Sequence, residues 1–228
     1  MAGRTDRSVA RTETVPGGAA APPPRRTQQE RSAQAGQALL DAAEELFAQR
    51  GVDQTSLAEL GQVAGYSRGL ANHHFGSKAA LVDQLAQRIQ ARFIQENDSA
   101  VPAGDPGDVV EVLSRLIRGY LEAMIRYPRT GRAFFVMWGA AIPSEAPLRP
   151  VFATDDERFR RGVEELLRAG QANGTVTGDI DPVSTAVALT GMARGVAAQH
   201  LIAPDAFDLA AAIEACQRFV ERSLAATT

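Results

Sequence analysis

The run "GYSRGLANHHFGSK", residues 65–78, gathers the residue types that do chemistry: Ser67, Arg68, Asn72, two adjacent histidines and Lys78, the only lysine of the chain. Three kinds of chemistry use such a set: metal ligation, a catalytic loop, and contact with a phosphate backbone. Metal ligation fails on geometry. His73 and His74 are neighbours, so on a helix they point about 100° apart and cannot hold one ion. Elsewhere the chain has only His200 and a single cysteine, Cys216. No metal site and no cofactor are expected. Catalysis lacks a nucleophile–base pair, a ligand spacing and a phosphate-cradling glycine loop; no catalytic residue is assigned. Phosphate contact has a physical basis, because a helix start offers free N–H groups and a partial positive charge. Ser56, Ser67 and Ser77 each fall at such a start, with Lys78 adding a full charge. The bland alternatives are a solvated Arg68 and serines that are ordinary caps.

The elements that must position these residues are helical. Leu39, Ala43, Leu46 and Phe47 recur at helical spacing between about Arg31 and Gly51. Ser56 and Glu59 stand three apart, the spacing of a capping box, and open a second helix. Ser67 caps a short third helix through Phe75, and Ser77 a fourth carrying Leu81, Leu85, Ile89 and Phe93. Two short helices joined by a glycine-containing turn describe a helix-turn-helix. Helical patterns punctuated by Pro and Gly continue to the end, the last helix opening at Pro204 and Asp205. No alternating strand and no internal repeat occurs. The fold expected is all-α, with about nine helices: a basic disordered tail over residues 1–27, a DNA-binding unit over 28–76 and a larger helical unit over 77–228.

Composition agrees with this reading. The chain is 45% hydrophobic and 22% charged, with a formal net charge of −3. Residues 1–31 carry six Arg against three acids, so the basic excess is confined to the tail. The acidic balance elsewhere argues against wholesale coating of nucleic acid. One cysteine rules out an internal disulfide framework and fits a reducing compartment. No stretch is long and apolar enough to span a membrane, and the N-terminus lacks a signal-peptide core. A cytoplasmic protein is expected. Heavy use of Ala and of Arg over Lys suggests a GC-rich bacterial genome.

The stretch "LLDAAEELFAQRGVDQTSLAELGQVAGYSRGLANHHFGSKAALV" resembles the TetR/AcrR family of one-component transcriptional regulators. The "LFAQRGV", "TSLAEL", "AGYSRG" and "HFGSKAAL" motifs occur in order at family spacing. The resemblance implies a homodimer, double-stranded operator DNA as partner, and a C-terminal domain that binds a small-molecule effector. Carried over by position, Thr55, Ser56, Ser67, His73 and Lys78 are phosphate contacts, while Arg68, Gly69 and Asn72 face base edges. His74 and Phe75 read as packing that ends the third helix against the fourth. The chain departs from the family at Asn72 and His73, where Tyr is common, and at Leu70, where a small polar residue is frequent. It also departs at Gly61, where Ala is usual and Gly costs about 1 kcal/mol of helix propensity.

Further along, "RAFFVMWGAAI" clusters aromatic and thioether side chains. Phe135, Trp138, Met192 and His200, with Arg115 or Tyr120, are the candidate lining of an effector cavity; the alternative is plain core packing. "FFVMWGAA" and "GTVTGDIDP" faintly resemble the betaine-regulator branch. Gly191 and Gly195 stand four apart, and Leu209, Ile213, Cys216 and Val220 form a seam suited to a helical bundle. These six are the candidate dimer interface; intrachain packing of the same faces is the alternative. The reading is a ligand-responsive regulator, a repressor by expectation, on a palindromic operator. Its rivals are a helical dimer working through protein contacts and an all-α enzyme built around the aromatic cluster.

Overall fold

The computed structural model describes residues 27–97, 106–143 and 145–226. The expected disordered tail, apart from Thr27, lies outside the described residues. Among those residues there are nine helices and no strand: α1 (Gln28–Arg50), α2 (Leu57–Val63), α3 (Leu70–Phe75), α4 (Lys78–Asn97), α5 (Val109–Arg126), α6 (Pro128–Gly139), α7 (Arg149–Asn173), α8 (Pro182–Ile202) and α9 (Leu209–Leu224). An isolated antiparallel bridge joins Val176 to Ala225.

Local chemistry sets the helix starts. Helix α1 opens three residues before the expected Arg31 because Thr27 and Glu30 form a capping box. The Glu30 N–H donates to Thr27 Oγ1 at 3.2 Å, and the Thr27 N–H to Glu30 Oε2 at 2.7 Å. Asp108, Asp181 and Asp208 cap α5, α8 and α9 in the same sense. Asp208 therefore opens the last helix, not Pro204 and Asp205. The Ser184 hydroxyl, and with it the Ser184 N–H, donates to the Asp181 carboxylate and holds that exposed carboxyl below its usual range. Pro128 and Pro182 each occupy the first turn of their helix, where a missing N–H costs nothing.

Two apolar cores result. In the first, Leu39, Ala43 and Phe47 of α1 pack with Leu60 of α2, Ala71 and Phe75 of α3, and Leu81 and Leu85 of α4. Ala133 and Met137 of α6 and Phe152 of α7 close it. The second joins α5, α7, α8 and α9 through residues such as Leu121, Leu167, Ala197 and Ile213. Helices α4, α6 and α7 reach both halves: the first turns of α4 sit in the first core, Ile89 packs against it, and Ile89 and Phe93 line a cavity toward the other half.

Candidate DNA interface and ligand cavity

The helix-turn-helix is built tightly. Gly65 turns the chain between α2 and α3 at φ +80°, a conformation that side chains other than Gly rarely adopt. The Tyr66 N–H then donates to the Gly61 carbonyl at 2.8 Å. A Cβ at residue 61 would overlap the Ser67 carbonyl oxygen, so Gly61 is a packing requirement of this turn. The sequence showed only its propensity cost.

The structure divides the expected DNA-contacting residues. Ser56, Ser67, Arg68, Gly69, Asn72 and His73 all stand exposed on one short stretch. Ser56 caps α2, its Oγ accepting from the Glu59 N–H at 3.2 Å. Ser77 caps α4, accepting from the Ala80 N–H at 3.1 Å. Ser67 is not the cap of α3: Gly69 occupies that position without a side-chain bond, and Ser67 lies in the preceding turn with its carbonyl accepting from the Leu70 N–H. Thr55 has to be withdrawn as a contact. It is 1% exposed, and its hydroxyl donates inward to the Gly51 carbonyl at 2.9 Å. Lys78 reaches back to donate to the Val52 carbonyl at 3.0 Å, which uses one of its three donors.

Two features escaped sequence reasoning. Turned with its oxygen toward Arg68, the Gln62 amide accepts from Nε at 3.1 Å and from Nη2 at 3.3 Å, which steadies the guanidinium over the turn. His74 lies over α1: a Cβ at Gly36 would come within 2.5 Å of its Nε2. His74 thus reaches α1 and meets Phe75 edge-on, while Phe75 shares the first core with Leu81 and Leu85 of α4.

A cavity of about 600 Å³ opens among α4, α5, α6, α7 and α8, a size usual for sites that hold small molecules. Its walls are largely apolar and include the rings of Phe93, Tyr120, Tyr127, Phe134 and Phe159. Phe93 meets Tyr120 edge-on, centroids 5.2 Å apart. Arg194 crosses one wall. It pairs with Asp156 at 2.6 Å, and the rings of Phe134, Trp138 and Phe159 surround its guanidinium at 5.5 to 6.0 Å. The Tyr120 hydroxyl is buried with Arg194 as its nearest polar neighbour. Burial pushes its pKa up to about 12, Arg194 pulling the other way. Burial likewise raises the Asp155 carboxyl, opposed by Arg158 at 3.3 Å.

Of the expected effector residues, only Tyr120 lines this cavity. Trp138 stands behind Arg194, its Nε1 donating to Asp156 Oδ2 at 3.2 Å. Phe135 packs against the second core and meets Phe134 and Trp138, which pack against the first, edge-on. Met192 faces a separate groove between α8 and α9, and His200 meets Phe207 near the end of α8. Arg115 is exposed and pairs with Glu111 at 3.0 Å. Residues four helices apart close the cavity, a relation that no single window of sequence carries.

The expected dimer seam also needs correction. Leu209, Ile213, Cys216 and Val220 are buried within the chain, so this face of α9 is already occupied. Burial raises the Cys216 thiol pKa. Outward apolar residues along these two helices include Val183, Val187 and Phe219, which are 48%, 52% and 65% exposed, and Ile202 at the end of α8 is 84% exposed. Gly191 and Gly195 open on empty space.

Among the described residues, no His, Cys, Asp and Glu cluster could hold a metal ion, and no helix is long and apolar enough to cross a membrane. An exposed helix-turn-helix on an all-helical body defines the class: a helix-turn-helix DNA-binding protein.

Comparison with known proteins gives the family. Residues 39–85 match the model for bacterial regulatory proteins of the tetR family, and residues 109–225 match that of the BetI-type transcriptional repressor C-terminal domain. The regulator TtgR of Pseudomonas putida is 26% identical over 181 residues, 77% of this chain and 84% of its own. BetI of Rhizobium meliloti (strain 1021) is 33% identical over 133 residues, 58% of this chain and 64% of its own. NalD, the secondary repressor of the MexAB-OprM multidrug efflux pump in Pseudomonas aeruginosa, shares the fold at a TM-score of 0.68. It is 22% identical and covers 85% of this chain and 98% of its own. The chain belongs to the TetR/AcrR family of DNA-binding transcriptional regulators.

Proposed function

We propose that this chain is a homodimeric, cytoplasmic repressor without catalytic activity, which holds a palindromic operator and releases it when a small molecule enters the cavity. Residues 28–76 form the DNA-binding unit and 77–228 the effector-binding and dimerisation unit. The observation that carries this reading is the sharing of α4: its first turns pack beneath α3, and its later residues Ile89 and Phe93 wall the cavity. A molecule that alters the cavity therefore acts on the helix that supports the recognition unit. Ser56, Ser67 and Lys78 would position the duplex, and Arg68, Gly69, Asn72 and His73 would meet the groove. The outward face of α8 and α9, with Val187, Gly191, Gly195 and Phe219, would meet the second copy. Repression rather than activation is favoured by the BetI-type repressor match over residues 109–225.

The effector would be chiefly apolar, with one group able to bond the Tyr120 hydroxyl. A panel of such molecules is screened for those that raise the thermal midpoint, then for release of a fluorescent operator duplex. Phe134→Ala and Tyr120→Phe should each weaken the active molecules about tenfold, the ~1.4 kcal/mol expected of losing one good contact. Unchanged affinity in both variants would place the effector elsewhere.

A further inference from the structure

We infer that Glu44 is the positioning residue through which the cavity acts on the DNA-binding helices; the inference rests on the reading of that cavity as the effector site. Glu44 lies on α1, 6% exposed, where α1, α4 and α6 meet. One carboxylate oxygen, Oε1, accepts from the Thr130 hydroxyl of α6 at 2.6 Å. The other, Oε2, accepts from Arg88 Nη2 of α4 at 2.8 Å. Arg88 also bonds Asp41 at 2.6 Å, and Arg129 bonds Glu45 at 2.7 Å, so both helices are tied to the same turn of α1.

Both tied helices also wall the cavity. Thr130 itself lines it, and Ile89 beside Arg88 does so from α4. A ligand that shifts either helix must move the Glu44 carboxylate or leave it short of a partner. A buried carboxylate cannot accept that at little cost, because lost hydrogen bonds inside the protein are not replaced by water. The neighbouring residues Ala43, Leu46 and Phe47 share one core with Leu60, Ala71 and Phe75, so a displacement of α1 reaches α2 and α3. An apolar contact between α1 and α6 would slide; the Thr130–Glu44 bond has two discrete conditions, made or broken, as a switch requires.

The test is a double-mutant cycle on the full-length protein, read as affinity for a duplex recovered by selection from random DNA. Ala193 is buried at the cavity wall, and Ala193→Phe places a ring inside it as a permanent occupant. Ala169→Phe does so from α7 should the first variant not fold. Thr130→Val removes the hydroxyl at constant shape, and Thr130→Ser keeps a hydroxyl there. The occupant should change operator affinity at least tenfold in the unaltered chain and in the Thr130→Ser background, and less than twofold with Thr130→Val. Equal changes in all three would overturn the role of Glu44 and leave the effector reading intact. No change in any background would overturn both, because a filled cavity would then not communicate with the DNA-binding helices.

Discussion

A methyl group on Gly61 would press on the Ser67 carbonyl oxygen, and this contact outweighs helix propensity. On propensity alone Gly61→Ala gains about 1 kcal/mol. In this turn it should instead lower the thermal midpoint and weaken DNA binding, which a melting curve and a titration would show; a stabilised variant would contradict the packing argument. Tyr120 gives a prediction of a different kind. Its pKa rises from about 10 in the unfolded chain to about 12 in the fold, so the folded state binds the proton more tightly. Stability should therefore fall as pH climbs through that interval, and Tyr120→Phe should flatten that part of the curve. Absorbance titration of the phenols would find one late component, lost in the variant. At this scale the sequence was partly legible. The Ser56 cap could be read from its distance to Glu59, because capping is local. The inward turn of Thr55 could not, because spacing along the chain says which residues flank a helix start and nothing of which way a hydroxyl faces.

Helix α9 shows why the elements were easier to find than their partners. Leu209, Ile213, Cys216, Val220 and Leu224 fall on one face and are buried against the chain itself. The same pattern would serve a dimer, and periodicity cannot tell the two apart. Phe219 stands outside the pattern at 65% exposure and lines the groove between α8 and α9 with Ala188 and Met192. Phe219→Asp should weaken self-association about thirty-fold, the ~2 kcal/mol of an aromatic anchor, while helical content stays unchanged. Sedimentation at graded concentrations would measure it, and an unaltered dimer would place the interface on another face. Helix boundaries were legible where a local cap marked them, as at Ser56 and Ser77. They were misjudged where an aspartate lay further along than the nearest breaker, as at Asp208.

At the scale of the whole molecule the two halves are joined through α4, α6 and the long α7. The cavity takes Phe93, Tyr120, Phe134, Phe159 and Arg194 from five helices. Apart from Tyr120, sequence reading assigned these to helix faces or passed over them, because their common destination is a tertiary fact. The DNA-binding stretch was legible as a motif, since its residues are close together in the chain. Sequence-specific recognition by Arg68 and its neighbours is tested by selecting duplexes from a random pool at about 0.15 M salt, with Arg68→Ala in parallel. The chain should recover a palindromic motif, and its affinity should fall steeply as salt rises. Arg68→Ala should lose about 1–3 kcal/mol of discrimination at one position of each half-site. Recovery of the same motif by the variant, or of no motif by either protein, would rule out base recognition by Arg68.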